Sequence, residues 1–170
     1  MQRPKQGDYA QYYEQYISEL KGNDILKILE SQLSEAIVFF KSIPEEKGGF
    51  KYSEGKWSVK EVIGHITDTE RVYAYRALCI ARGEKKELPG FEQDDYVKAG
   101  KFDNRTLNDL INEFRLLRES DLVMIKSFDE ESLSKDGIAS KNRVTVLAIL
   151  FIIAGHTLHH LRILKEKYFI

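Results

Sequence analysis

The chain has 170 residues, of which 42% are hydrophobic and 31% are charged, and its formal net charge is −1. This balance predicts one ordered domain over residues 1–170, because a single core grows efficiently up to about 250 residues. The near-neutral charge argues against nucleic-acid binding. The N-terminus has no apolar signal segment and no run approaches 18 consecutive apolar residues, so we expect a cytoplasmic protein without a membrane partner.

Two long helices are predicted in the first half of the chain. The first runs from Asp24 to about Lys41, carries apolar residues at helical spacing and stops before Pro44. The second begins at Ser58, which forms a predicted capping box with Glu61, and continues to about residue 82. A short helix is expected before them, in the aromatic segment with Tyr9, Tyr12, Tyr13 and Tyr16.

Two further helices are predicted in the second half, after a long loop over residues 83–102. That loop contains Pro89 and Gly90, with a turn of helix expected around residues 94–97. The third helix runs from about Thr106 to Phe128, and the fourth from about Val144 to Tyr168. Sustained alternation of apolar and polar residues is absent, so the predicted fold class is all-α, a four-helix bundle.

All four histidines fall on the second and fourth predicted helices. His156 and His160 are four residues apart, so their imidazoles lie one turn apart on one helix face and can converge on one point. His159 fits that point less well. His65, on the second helix, is the remaining candidate for a third nitrogen ligand, and three histidines leave an open coordination position on zinc or a similar ion.

The alternative for any one histidine is a hydrogen-bonded core residue without a ligand role. However, His156 and His160 share the face of Ile149, Ile152 and Ile153, which points into the core. Three imidazoles in an apolar core would each need a partner for their polar nitrogens. The pattern therefore favours a divalent metal site formed by His65, His156 and His160.

Two motifs of this sequence resemble the DinB/YfiT (DinB-like) superfamily of four-helix metalloproteins. The motifs are WSVKEVIGH, residues 57–65, and GHTLHH, residues 155–160. The resemblance implies an up-down-down-up bundle, commonly a homodimer, and a metal site whose ligands match His65, His156 and His160. It also implies zinc, nickel or manganese as the metal, between which three histidines do not discriminate.

The resemblance further implies a function, because some relatives are transferases that use bacillithiol or mycothiol and one branch isomerises maleylpyruvate. A metal with an open position can bind a low-molecular-weight thiol and present it as a thiolate nucleophile. Thiol transfer to an electrophilic small-molecule substrate is therefore the first hypothesis. A metal-dependent hydrolase and a noncatalytic metal-binding stress-response protein are the alternatives, since the fold does not fix the chemistry.

Two carboxylates flank His65 one turn away on either side of the same helix. Glu61 and Asp68 are candidates to orient a ligand imidazole or a metal-bound water, although Glu61 serves equally as a cap and Asp68 as a solvated residue. The catalytic role of either residue, and of His159, stays open. Three arginines near the expected cleft, Arg71, Arg76 and Arg82, could bind the carboxylates of a low-molecular-weight thiol or its acceptor. Because most helix arginines face water, they are assigned to solvent and left out of the site.

The fourth helix has a second apolar face, roughly opposite the histidines. This face is formed by Leu147, Phe151, Ala154, Leu158 and Leu161. A helix that is apolar almost all round must be covered on both sides, either by its own bundle or by another subunit. We therefore expect a homodimer with this helix at or near the interface.

Overall fold

A computed structural model describes residues 3–168, so residues 1, 2, 169 and 170 of the predicted domain lie outside the described part. In chain order the elements are α1 Glu14–Ile17, α2 Ile25–Lys41, α3 Val59–Ala81, α4 Gln93–Gly100, α5 Leu107–Lys126, α6 Glu130–Ser134, β1 Asp136–Ala139, β2 Asn142–Thr145 and α7 Val146–Lys167. Helices α2, α3, α5 and α7 form the predicted bundle. Helix α4 replaces the helical turn expected in the long loop.

Side-chain caps fix where the long helices begin. Asp24, Ser58, Thr106 and Thr145 each accept a hydrogen bond from the backbone N–H three residues later. At Ser58 the capping box is complete, because the Glu61 carboxylate also accepts from the Ser58 N–H. These caps satisfy N–H groups that have no partner inside the helix, and they explain why the predicted bounds agree closely with the structure.

Contacts between the helices give the direction of each one. Helices α2 and α5 are antiparallel, with contacts at Gln32–Arg118 and Phe40–Phe114. Helices α3 and α7 are also antiparallel, with contacts at Trp57–Tyr168 and His65–His156. Helices α2 and α7 are parallel, with contacts at Gln32–Ala154 and Phe39–Lys165. Because α3 and α5 are consequently parallel, the order is the up-down-down-up topology that the resemblance implied.

A β-hairpin is the one element type absent from the sequence-based prediction. Strands β1 and β2 pair antiparallel, from Asp136 opposite Thr145 to Ala139 opposite Asn142. Their turn residues Ser140 and Lys141 both have positive φ, 49° and 65°, without the Asn-Gly or Asp-Gly signal that usually marks such a turn. Leu88 in the long loop adds an isolated bridge to Ala139, so the hairpin holds that loop against the bundle.

A layer of buried polar side chains divides the core into two apolar clusters. One cluster includes Leu29, Ala77, Leu122 and Ala154, and the other includes Ala36, Ile66, Phe114 and Leu161. Between them each long helix contributes one buried polar residue: Gln32, Glu70, Arg118 and Thr157. We call these four residues the polar layer. The histidines His65 and His156 lie beside it at the same level of the bundle, on α3 and α7.

Helix α7 runs through the centre of the core. By length and composition alone it is apolar enough to cross a membrane, yet 67% of its most apolar window is buried inside the protein. Part of its second apolar face is covered within the chain, because Phe151, Ala154 and Leu161 are buried and α7 packs against both α1 and α2. Leu147 and Leu158 on the same face are half-buried, and the homodimer stays a prediction.

Candidate metal centre

Helices α3 and α7 bring the three predicted ligands together. His65 and His156 are buried, with 3% and 8% of their surface exposed, and His160 is half-buried. The four-residue spacing of His156 and His160 aligns both rings on one face of α7, toward His65 on the antiparallel helix. One nitrogen of each ring lies within 4.8 Å of the other two.

The distances between these nitrogens fit one small cation. His156 Nε2 lies 3.1 Å from both His65 Nε2 and His160 Nε2. Tetrahedral zinc with Zn–N bonds of about 2.0–2.1 Å places two nitrogen ligands about 3.3 Å apart, so only a slight expansion is needed. Three protein ligands leave one position for a substrate or water, as in catalytic zinc sites. The residues therefore fit the metal that the sequence predicted.

The three imidazoles are held in the neutral form that a metal ligand needs. Burial lowers the pKa of His65 from 6.5 to about 4. Burial, and then the neighbouring histidines, lower the pKa of His156 and of His160 well below 6.5. Within residues 3–168 the cluster contains only histidines, so a bound dication would keep its full positive charge.

Two glycines let other parts of the chain approach the ligand helices closely. Gly155 precedes His156, and a Cβ at this position would lie 2.4 Å from the Tyr16 carbonyl oxygen. Gly64 precedes His65, and a Cβ there would lie 2.4 Å from the Phe102 ring. The glycines of the two motifs thus have a physical reason: they allow α1 and the segment before α5 to pack against the helices that carry the site.

Aromatic rings fix the orientation of the ligand imidazoles. The Trp57 ring lies 4.6 Å from the His65 ring, measured between centroids, and Tyr16 packs edge-on against His156 at 5.8 Å. Tyr16 also packs edge-on against His159, at 5.2 Å. His159 is therefore a packing neighbour of the cluster and does not join it.

The two candidate carboxylates do not contact the histidines. Glu61 accepts hydrogen bonds from the Ser58 N–H and Lys51, and Asp68 accepts one from Arg71. Neither carboxylate hydrogen-bonds a ligand imidazole, and a role of Glu61 or Asp68 in orienting a metal-bound water stays a prediction. His65 Nδ1 instead lies 3.4 Å from the Thr69 hydroxyl. Thr69 lies four residues after His65, so helical spacing could have identified it.

The other ring nitrogen of His160 has a different environment. His160 Nδ1 is buried and has no hydrogen-bond partner among the described residues. A buried polar atom without a partner is unusual in proteins and costs free energy. A metal at Nε2 would place the ring proton on Nδ1, so this nitrogen would still need a partner of its own.

Two cavities reach the histidines. One, of about 390 Å³, reaches His65 and His156, and we call it the aromatic cavity because its walls include Tyr12, Tyr13, Tyr16, Tyr73 and Phe91. The other, of about 310 Å³, reaches His160 and Trp57. Asp94, in the first turn of α4, lines both of them. The histidine cluster is thus accessible to small molecules.

The three arginines assigned to solvent differ sharply in the structure. Arg71 is partly exposed and pairs with Asp68 and Glu113, and Arg82 is exposed. Arg76 is only 3% exposed and lines the aromatic cavity. Assigning Arg76 to solvent was therefore wrong. Its burial depends on the hairpin and the long loop, which no local pattern around Arg76 predicts.

The DinB superfamily family model matches residues 28–164 of this chain. The chain belongs to the DinB superfamily. No curated protein sequence matches it closely enough to assign a reaction. The family and the bundle topology predicted from the two histidine motifs are both confirmed, and the region matched contains His65, His156 and His160.

Solved structures show how this DinB protein resembles others in fold. YfiT from Bacillus subtilis, described as a probable metal-dependent hydrolase with an unusual four-helix bundle topology, matches with a TM-score of 0.71 at 13% identity, over 96% of this chain and 90% of YfiT. The DinB-like protein YjoA from Bacillus subtilis matches with a TM-score of 0.57 at 20% identity, over 81% of this chain and 84% of YjoA.

A mycothiol-dependent maleylpyruvate isomerase is also similar in fold. It matches with a TM-score of 0.70 at 13% identity, over 86% of this chain. The match covers 61% of the isomerase, so the DinB protein described here spans less than two thirds of that enzyme. At these identities the likeness concerns the fold, and the chemistry has to be argued from the site.

Proposed function

We propose that this DinB protein is a metal-dependent enzyme that transfers a low-molecular-weight thiol of the bacillithiol type to electrophilic small molecules. The observation that carries the proposal is the convergence of three imidazoles beside two cavities, with His156 Nε2 3.1 Å from both His65 Nε2 and His160 Nε2. A divalent ion held there would lower the pKa of a bound thiol and favour its thiolate, the nucleophilic form.

The residues around the ion would have separate tasks in this reaction. His65, His156 and His160 would hold the ion without neutralising it, because all three are uncharged. Trp57 and Tyr16 would keep two of the rings oriented. The aromatic cavity would hold one reactant close to His65 and His156.

The chemistry balances without any oxidant or reductant. The thiol releases its proton to solvent, and the sulfur forms a bond to an electrophilic carbon. With a halide as leaving group, the carbon–halogen bond breaks and the halide takes its electron pair. The similarity to an enzyme that requires mycothiol supports a thiol as one reactant, although that support is at the level of the fold.

Turnover of monochlorobimane, which becomes fluorescent when a thiol displaces its chloride, tests this proposal. Protein loaded separately with zinc, nickel or manganese is assayed with bacillithiol, cysteine and glutathione. We expect metal-dependent turnover that is fastest with bacillithiol and absent in His160→Ala. His159→Ala is the matched control and should retain activity, because His159 lies outside the cluster. Equal rates for His160→Ala and wild-type protein would contradict the proposal.

A metal-dependent hydrolase is the second candidate, favoured by the likeness to YfiT over 96% of this chain. The same three histidines would hold an ion that activates water in place of a thiol. Metal-dependent hydrolysis of 4-nitrophenyl acetate without any thiol, lost in His160→Ala, would support this alternative. Failure of both reactions with metal-loaded protein would favour a noncatalytic metal-binding role.

A further inference from the structure

Among residues 3–168, Arg76 is the buried cation that lines the aromatic cavity, and it also lines two neighbouring cavities. Only 3% of its surface is exposed, and among residues 3–168 no carboxylate lies within 4.0 Å of its side-chain nitrogens. By contrast, the other fully buried arginine, Arg118, pairs with Glu70. A buried charge without a counter-charge is costly, because the protein interior does not replace the hydration that the charge loses.

Neutral groups hold the Arg76 guanidinium in position. Its Nη2 donates to the Pro89 carbonyl oxygen at 2.6 Å and to Ser140 Oγ at 3.0 Å. The Tyr73 and Phe91 rings lie 5.1 Å and 5.9 Å from its central carbon. Both hydrogen bonds use Nη2, so Nη1 and Nε keep N–H groups that a ligand can use.

We propose that the aromatic cavity is a binding site for an elongated organic carboxylate, with its carboxylate on Arg76 and its other end beside the metal-binding histidines. The charge of Arg76 requires an anion, and its planar guanidinium favours a carboxylate bound through two hydrogen bonds. The carboxylates at the exposed side of the cavity, Glu92 and Asp94, are not within ion-pair distance of Arg76 and do not occupy this role.

The spacing of the site sets the shape of the ligand. Arg76 follows His65 by eleven residues on α3, which corresponds to about 16 Å of helix rise. Both residues nevertheless line one cavity of about 390 Å³, which suits a small elongated molecule. Tyr13, Tyr73 and Phe91 lie along its walls, so the middle of the ligand is apolar or aromatic. This inference deepens the proposed function, because it assigns an anionic end to one of the two reactants.

Binding of 4-phenylbutyrate and of its neutral amide to zinc-loaded protein tests the proposal without any turnover. By isothermal titration calorimetry we expect the acid to bind about 10- to 100-fold more tightly than the amide, since a buried charged hydrogen bond is lost in the amide. Arg76→Met should abolish this preference and leave the weak affinity for the amide unchanged. Arg76→Lys should retain part of it.

A control variant separates the role of Arg76 from a general loss of positive charge. Arg82→Met removes an exposed arginine from the end of the same helix region and should keep the preference for the acid. The comparison of acid with amide on the wild-type protein needs no variant, so it stands even if Arg76→Met folds poorly.

Three outcomes would overturn the proposal: equal affinities for acid and amide, a preference that survives in Arg76→Met, or no binding of the acid to the wild-type protein. A preference that survives would mean that the acid binds the zinc ion directly. The proposed function fails separately, through the absence of metal-dependent thiol turnover. An Arg76-dependent preference in a protein without such turnover would keep the carboxylate site and reject the transferase.

Discussion

Two groups of buried polar side chains lie at the same level of the bundle, and they solve the problem of burial in different ways. In the polar layer, the Arg118 guanidinium donates through Nε and Nη2 to the two carboxylate oxygens of Glu70, and also to Gln32 and Thr157. In the histidine cluster, three Nε2 atoms face each other and His160 Nδ1 has no partner among residues 3–168.

The difference separates a structural site from a functional one. The polar layer satisfies its own charges and hydrogen bonds, so it needs nothing from outside the chain. The histidine cluster provides converging nitrogen lone pairs, and two cavities lead to it. Burial alone therefore does not identify a functional site; here the convergence of ligand atoms and their access to small molecules do.

Breaking the ion pair of the polar layer should have the largest effect on stability. Glu70→Gln removes the carboxylate charge and leaves Arg118, which is fully buried, without its counter-charge. We expect a loss of about 3–5 kcal/mol in the free energy of unfolding, measured by urea denaturation. Glu119→Gln, at the exposed pair with Arg115, is the control and should cost about 0–1 kcal/mol. Similar losses in both variants would contradict the prediction.

Removing a ligand from the histidine cluster should affect metal binding more than folding. His156→Ala takes away the imidazole whose Nε2 lies 3.1 Å from both others. Even groups that only orient a metal ligand contribute about 10- to 100-fold to affinity, so we expect a loss of at least about 100-fold. Competition with a chelator at pH 7.5 measures the zinc affinity. His159→Ala should bind zinc as the wild type does, and an equal loss there would show that the cluster is wrongly assigned.

The histidine cluster was predictable from sequence because its geometry is local. A spacing of four residues places His156 and His160 on one helix face whatever the rest of the chain does. His65 required only that a second helix pack alongside. Ser58 and Thr106 fix helix starts in the same local way, through hydrogen bonds within four residues.

The polar layer and Arg76 were not predictable, because their partners are far away in sequence. Glu70 and Arg118 are 48 residues apart. The local sequence around each of them predicts an exposed charge on an amphipathic helix. Arg76 is buried by Ser140, 64 residues later, in a hairpin whose four-residue strands have no clear alternation. Only the tertiary structure distinguishes these charges from solvated ones.

Protonation of the histidines should weaken the metal-free protein as the pH falls. Burial lowers the pKa of His65 from 6.5 to about 4, so the unfolded chain takes up its proton first. The contribution of neutral His65 to the free energy of unfolding is complete above about pH 6.5 and is lost as the pH falls toward 4. Between pH 7 and 5.5, wild-type protein should lose about 1 kcal/mol more than His65→Gln in urea unfolding. Parallel pH profiles for the two proteins would contradict the lowered pKa of His65.

Asp121, beside the polar layer, should respond to pH with the opposite sign. Burial, and then the Glu70 charge, raise the pKa of Asp121 from 3.8 to about 7, and its Oδ2 has no hydrogen-bond partner among the described residues. A raised pKa favours the protonated form in the folded state, so this contribution is complete below about pH 3.8 and is lost as the pH rises through 7.

The test of that opposite sign is a comparison of wild-type protein with Asp121→Asn, which removes the titration. From pH 8 to pH 6 the wild type should gain about 1 kcal/mol or less relative to Asp121→Asn in the free energy of unfolding. Measuring both proteins cancels the opposing titration of the histidines. A constant difference across this range would show that Asp121 is charged in the folded state, and that the polar layer tolerates a second carboxylate beside Glu70.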